Sequence, residues 1–349
     1  MFLELSMITN PRSIDIAPKR RRCGILLAGV CTILGSCASP SSGGADGEGK
    51  NASDPYAGVN SVPRDRGVWQ QLLSDHGKIR RTLRHSEKDG VGIVESLTES
   101  DDPEVAELII DHAKSMQARM KVGATVRVWD PVFKDLFEKH KSVTLEVTPT
   151  GKGVRIFETS ADPEAIALMR SHAMGVSAFV RAGHAISGDE TPRLGVGGPL
   201  PPDEVAIGGV PHRLLLSHPT PEQLAVLGSQ GVERILNFRK PEEHKDYDEA
   251  NAAVAAGATY CNLPFDGAAE LTDEVLAATR AEYAAATKNG IVMAAHCRTG
   301  NRLGPGLAAY LALDLKLDVE RAIAAAKAVG MTDPSYEAIA RRYIERAKN

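Results

Sequence analysis

The sequence predicts two folded regions of different class, an α+β region in the first half of the chain and an α/β region in the second. Between about Arg64 and His184 the chain repeats itself sixty residues on. Ser100-Asp101-Asp102-Pro103-Glu104 returns as Ser160-Ala161-Asp162-Pro163-Glu164, and His112-Ala113 returns as His172-Ala173. From Val205 onward, short apolar runs alternate with helical patterns, which is the signature of a mainly parallel sheet with crossover helices.

In the first region, a β-rich stretch with a Gly-containing turn precedes each Asp-Pro: residues 79–97 around Asp89-Gly90, and residues 143–157 around Gly151-Lys152-Gly153. An amphipathic helix follows each one, with Pro at its first position and Asp or Ser as N-cap. Residues 64–187 therefore read as two ββα units in one α+β accessory domain, a four-stranded antiparallel sheet with helices on one face. The equivalent His112 and His172, with Met116 one helical turn beyond His112, invite a metal or haem reading. The plainer reading is that each imidazole caps a turn or bonds a neighbouring strand.

Residues 188–204 are rich in Gly and Pro and read as a linker. Residues 205–349 then predict strands at 214–216, 234–237, 259–263 and 291–295. The predicted helices are at 221–227, 247–255, 272–288, 303–313, 319–328 and 334–347. Ligand sites of such sheets lie beyond the strand C-termini. His296-Cys297-Arg298-Thr299-Gly300-Asn301-Arg302 occupies such a place, between an apolar strand and an apolar helix.

A tight loop there aims successive backbone N–H groups and a positive helix end at one point, which favours a thiolate at Cys297 and an anion above it. Arg302 supplies a guanidinium fork for two oxygens of the bound group. Gly300 lets the backbone turn. Arg298, Thr299, Gly300 and Asn301 are the candidate substrate-binding residues, with Arg239 as a possible extension from the end of its own strand. A buried structural cysteine would explain Cys297 alone, but not this cluster at a strand end. Asp266, in Leu263-Pro264-Phe265-Asp266-Gly267, is placed to be a general acid, and Asp-Gly is equally ordinary turn chemistry.

The stretch from about residue 205 to 325 resembles the bacterial beta-lactamase-hydrolase-like, phosphatase-like family. The resemblance rests on Leu236-Asn237-Phe238-Arg239-Lys240-Pro241, Tyr260-Cys261-Asn262-Leu263-Pro264 and His296-Cys297-Arg298-Thr299-Gly300-Asn301-Arg302-Leu303-Gly304, in that order. It implies a fold of the protein-tyrosine-phosphatase type, a thiolate nucleophile at Cys297, Arg302 binding the transferred group and Asp266 on an acid-bearing loop. The chain departs from tyrosine phosphatases in one respect. Four residues, not five, separate Cys297 from Arg302, and Leu303 stands where such a phosphatase carries Arg. The shorter loop resembles that of rhodanese sulfurtransferases, which leaves a Cys297 persulfide as the alternative chemistry, and a non-catalytic anion sensor as a third reading.

The net charge of −4 leaves no basic surplus for a phosphate backbone, so nucleic acid is not an expected partner. A small anionic or phosphorylated substrate is, with no cofactor and no metal. Of five cysteines, Cys23, Cys31 and Cys37 lie near the start, and none forms a Cys-x-x-Cys zinc pair. Cys261 is expected to lie near Cys297, either as a plain strand cysteine or as a disulfide trap for the nucleophile.

Lys19-Arg20-Arg21-Arg22, an apolar stretch from Cys23 to Leu34 and then Gly35-Ser36-Cys37 resemble a bacterial lipoprotein signal. That resemblance makes residues 1–37 a signal with Cys37 as lipidation site, residues 38–63 a flexible tether, and the location extracytoplasmic, on the periplasmic side and membrane-anchored through lipid. A cleaved secretory signal is the alternative.

Overall fold

The computed structural model describes residues 59–243 and 245–348. The expected signal, Cys37 and most of the tether lie outside them. In the first half, α1 (Val62–Ser74) precedes the hairpin β1 (Ile79–Lys88) and β2 (Val91–Ser100), then α2 (Pro103–Val122) and α3 (Pro131–Glu138). A second hairpin, β3 (Thr144–Thr150) and β4 (Gly153–Ser160), leads into α4 (Pro163–Ala182). Asp102 and Asp162 cap α2 and α4 in the same way. Each carboxylate accepts from the amides two and three residues on, Glu104 and Val105 for one and Glu164 and Ala165 for the other, with Pro at the first position.

The second half runs β5 (Glu204–Ile207), β6 (Arg213–Leu215), α5 (Pro221–Ser229), β7 (Arg234–Asn237), α6 (Glu249–Ala255), β8 (Thr259–Asn262), α7 (Asp273–Asn289), β9 (Met293–His296), α8 (Leu303–Leu313), α9 (Val319–Ala328) and α10 (Pro334–Lys348). Strand pairs β6–β9, β9–β7 and β7–β8 are parallel. Alternation along these strands sends successive residues to opposite faces. Leu214, Leu236, Met293 and Ala295 pack with α7 to α10, and Leu215, Ile235 and Ala294 pack with α5 and α6. Every residue of α8 is buried, as expected of a helix that is apolar all round.

One nine-stranded sheet runs through both halves, in the order β3-β4-β2-β1-β5-β6-β9-β7-β8. The join is antiparallel, with Arg80 to Leu83 of β1 paired to Ile207 to Glu204 of β5. Residues 188–204, expected as a linker, are held at residues 191–194 and again from Pro201 onward. The Thr191 amide and hydroxyl both donate to Asp130, the Leu194 amide donates to the Ser171 hydroxyl, and Pro201 and Pro202 are buried. Among the described residues, no helix is long and apolar enough to cross a membrane.

Candidate active site

Strand β9, flanked by β6 and β7, ends at His296, and α8 begins at Leu303, so residues 297–302 form a short turn at the C-terminal edge of the parallel part of the sheet. Cys297 is 1% exposed, and its Sγ accepts the Gly300 amide at 3.1 Å. The amides of Arg298, Thr299, Asn301 and Arg302 donate to no described acceptor. With the N-terminal end of α8, they leave a short loop carrying several uncommitted donors, a composition that suits an anion.

The turn has no slack. Gly300 has a φ of +85°, and a Cβ there would sit 1.6 Å from the Val329 carbonyl oxygen. The Asn301 side-chain oxygen accepts the amides of Thr332 and Asp333 at 2.9 and 3.2 Å. Its carboxamide therefore ties the loop to the entry of α10. Arg298 and Thr299 stay exposed.

Arg302 is buried and held from several sides. Its Nη1 donates to Glu243 Oε1 at 2.6 Å and to the carbonyls of Phe238 and Phe265 at 3.2 and 3.0 Å, and its Nη2 donates to Glu243 Oε2 at 2.6 Å. A guanidinium has five N–H groups, so the bidentate clamp leaves the Nε–H and one Nη2–H uncommitted. Glu243 hydrogen-bonding, with the Cys297 and Asp266 charges adding to it, raises the Arg302 pKa, and the same bond pulls the Glu243 carboxyl down to about 2.

Glu243 was not foreseen from sequence, and it lies fifty-nine residues from its partner. Arg239 reaches the same place: it is 8% exposed, and its Nη2 donates to the Glu243 backbone carbonyl. Asp266 is exposed, its amide bonded to Glu270, while the adjoining Phe265 carbonyl rests on Arg302.

Behind the loop, His296 is fully buried. Its Nε2 meets Glu249 Oε1 at 2.5 Å, and Glu249 also accepts from Asn237 Nδ2 at 2.8 Å. His218, Glu249 and His296 bring ligand-type atoms within 4.8 Å of one another. The short His296–Glu249 hydrogen bond gives these atoms a structural task, which is to fix the ring next to the nucleophile candidate.

The strand order corrects one expectation. Cys261 pairs with Leu236 of β7, and Leu236 pairs on its other side with Ala295 of β9. A whole strand thus separates Cys261 from the Cys297 strand, a gap of about 9–10 Å at the usual strand spacing. A disulfide needs Cα atoms within about 7 Å, so Cys261 cannot trap Cys297 without disrupting the sheet. Both thiols are free, and burial raises the Cys261 pKa.

No family model and no curated protein matches the chain. Solved structures do match part of it. P. aeruginosa TpbA is 20% identical over 40% of this chain and 86% of its own, with a TM-score of 0.32. PTPMT1 in complex with PI(5)P is 18% identical over 39% of this chain and 92% of its own, with a TM-score of 0.35. Tk-PTP in its active form is 15% identical over 39% and 92%, with a TM-score of 0.34.

Proposed function

We propose that this chain is a cysteine-dependent hydrolase of phosphate-type monoesters, tethered outside the cytoplasm by lipid at Cys37, with residues 64–187 as an accessory binding region of two ββα units. The observation that carries the catalytic reading is this set of uncommitted donors. Four amides of the loop that starts at Cys297 have no acceptor, the sulfur already takes the Gly300 N–H, and the Arg302 guanidinium at the end of the same loop keeps two spare donors.

The Cys297 thiolate attacks phosphorus. The P–O bond to the leaving group breaks as Asp266 gives its proton to that oxygen, leaving a phosphocysteine. Water then attacks phosphorus, Asp266 takes back a proton, and the P–S bond breaks to return thiolate and free phosphate. The loop amides and Arg302 stabilise the oxygens where charge accumulates in both steps. Glu243 keeps the guanidinium aimed without using its inner edge, and Arg239 reinforces it.

Loop length favours one other chemistry, sulfur transfer through a Cys297 persulfide, because four intervening residues make a smaller cradle. One experiment separates the two. Purified protein and Cys297→Ser are given p-nitrophenyl phosphate, and separately thiosulfate with cyanide. Phosphate release that vanishes in the variant is the expected result. Thiocyanate formation without phosphate release gives the alternative, and neither product removes the enzymatic reading. Mass spectrometry of the mature N-terminus tests the anchor, and an unmodified Cys37 dismisses it.

A further inference from the structure

The first-half sheet and its helices enclose a cavity of about 520 Å³, separate from the Cys297 loop. Small-molecule sites commonly fall between about 300 and 1,000 Å³. Its body is aromatic: Trp69 and Phe179 meet edge to face at 4.8 Å, and Phe133 lies 6.3 Å from Phe179. Two charged side chains enter from the sheet floor, Arg81 of β1 and Glu158 of β4, 6% and 8% exposed.

Arg81 gives one N–H to the Thr98 hydroxyl at 2.7 Å, while its Nε finds no acceptor among the described residues. Glu158 Oε2 receives no hydrogen bond. The Nδ1 atoms of His112 and His172 are likewise unpartnered, and His172 Nδ1 stands 3.7 Å from Glu158 Oε1, beyond hydrogen-bonding range. A buried polar atom left unpaired costs about 1–3 kcal/mol. Four such atoms around one cavity are an arrangement that an occupant completes.

The charge balance says what kind of occupant. Burial lowers the pKa of His112 and pushes His172 down to about 4, so both rings are neutral near pH 7. Burial also pushes Glu158 up to about 7, which leaves it half protonated there, whereas Arg81, lowered to about 10, keeps its charge. The floor thus has a net positive charge, while two buried charges on the chamber wall are answered locally: Arg127, whose guanidinium lies 4.9 Å over Phe179, pairs with Asp130, and Asp65 pairs with Arg119. Among the described residues, His112 and His172 fall in no set of three His, Cys, Asp or Glu ligand atoms within 4.8 Å of one another.

We propose that this cavity binds an amphipathic carboxylic acid, with its carboxylate between Arg81 and Glu158 and its hydrocarbon or aromatic body among Trp69, Phe133 and Phe179. The carboxylate accepts the free Arg81 N–H, and its other oxygen accepts a hydrogen bond from protonated Glu158 or from the neutral His172 ring through an Nδ1–H. An alcohol of the same length fills the chamber but leaves the Arg81 charge unmatched. The proposal does not depend on the chemistry at Cys297.

Both tryptophans of the chain, Trp69 and Trp129, line the cavity, so intrinsic fluorescence reports on it. The full chain is titrated with decanoate, 4-phenylbutyrate and decanol. A saturable change with at least one acid, at least tenfold tighter than with decanol, is expected. Whichever acid binds more tightly identifies an aliphatic or an aromatic body. Arg81→Gln should weaken the acid at least tenfold and leave decanol unchanged. Glu158→Gln, which removes the competing negative charge, should tighten the acid at pH 8. No saturable response to either acid overturns the proposal. So does equal binding of acid and alcohol, or unchanged or weaker acid binding in Glu158→Gln should Arg81→Gln fail to fold.

Discussion

At the scale of single residues, the proposed hydrolase divides its work between Asp266, which moves a proton, and Glu243, which moves nothing. Replacing Asp266 by Asn should lower kcat on phosphates with poor leaving groups by about 10²-fold, and much less on p-nitrophenyl phosphate, whose leaving oxygen needs little help. Comparing the two substrates checks this, and equal losses on both remove Asp266 as the acid. Glu243→Gln breaks the charged clamp on Arg302. Its carboxylate titrates far below an ordinary Glu, so the stability it contributes is complete above about pH 4.5 and disappears as pH falls towards 2. At pH 7 the variant should lose about 2–3 kcal/mol in urea unfolding and bind phosphate-type inhibitors more weakly.

Cys297, Gly300 and Arg302 could be singled out as candidates because their spacing is local and lies between two apolar runs. Glu243 was not, because a partnership across fifty-nine residues leaves no periodicity to read. Glu249 escaped notice for the same reason, forty-seven residues from His296.

At the scale of elements, the strand-turn-helix unit tolerates little change. Gly300→Ala meets both a left-handed backbone angle and the Val329 carbonyl, so it should eliminate turnover while the far-ultraviolet spectrum stays near that of the parent. Retained turnover would mean that this loop is not the site. The helices were readable in two ways: α2 and α4 from their Asp-Pro starts, and α8 and α9 from the extent of their apolar stretches. Strand order was not readable. Short parallel strands carry similar apolar runs, and nothing in Tyr260-Cys261-Asn262 says that it pairs with β7 alone, at the edge, instead of lying beside β9. That gap produced the mistaken approach of Cys261 to Cys297. The continuous sheet was hidden likewise, since β5 is four residues long and follows a Gly/Pro-rich stretch that resembles a break.

At the scale of the whole molecule, buried histidines set the acid limit. Burial pushes His85 down to about 3, and His172 and His212 to about 4, so the unfolded chain takes up protons near pH 6.5 that the folded chain refuses. Stability from these groups is complete above about pH 6.5 and falls as pH drops towards 4, by about 2 kcal/mol per ring between pH 7 and 5. Glu158, raised to about 7, acts in the opposite sense over the same range and offsets about one of them. Urea midpoints measured from pH 7 to 5 should therefore fall, with a net loss on the order of 4 kcal/mol. A flat profile would place these rings in water.

The sheet ends on β3, and the composition of that strand has a consequence at high protein concentration. Its outward row is Thr144, Glu146 and Thr148, and Pro149 follows with no N–H to offer. A neighbouring copy seeking to extend the ladder meets a negative charge and then a missing donor, so the free margin discourages strand-by-strand growth into aggregates.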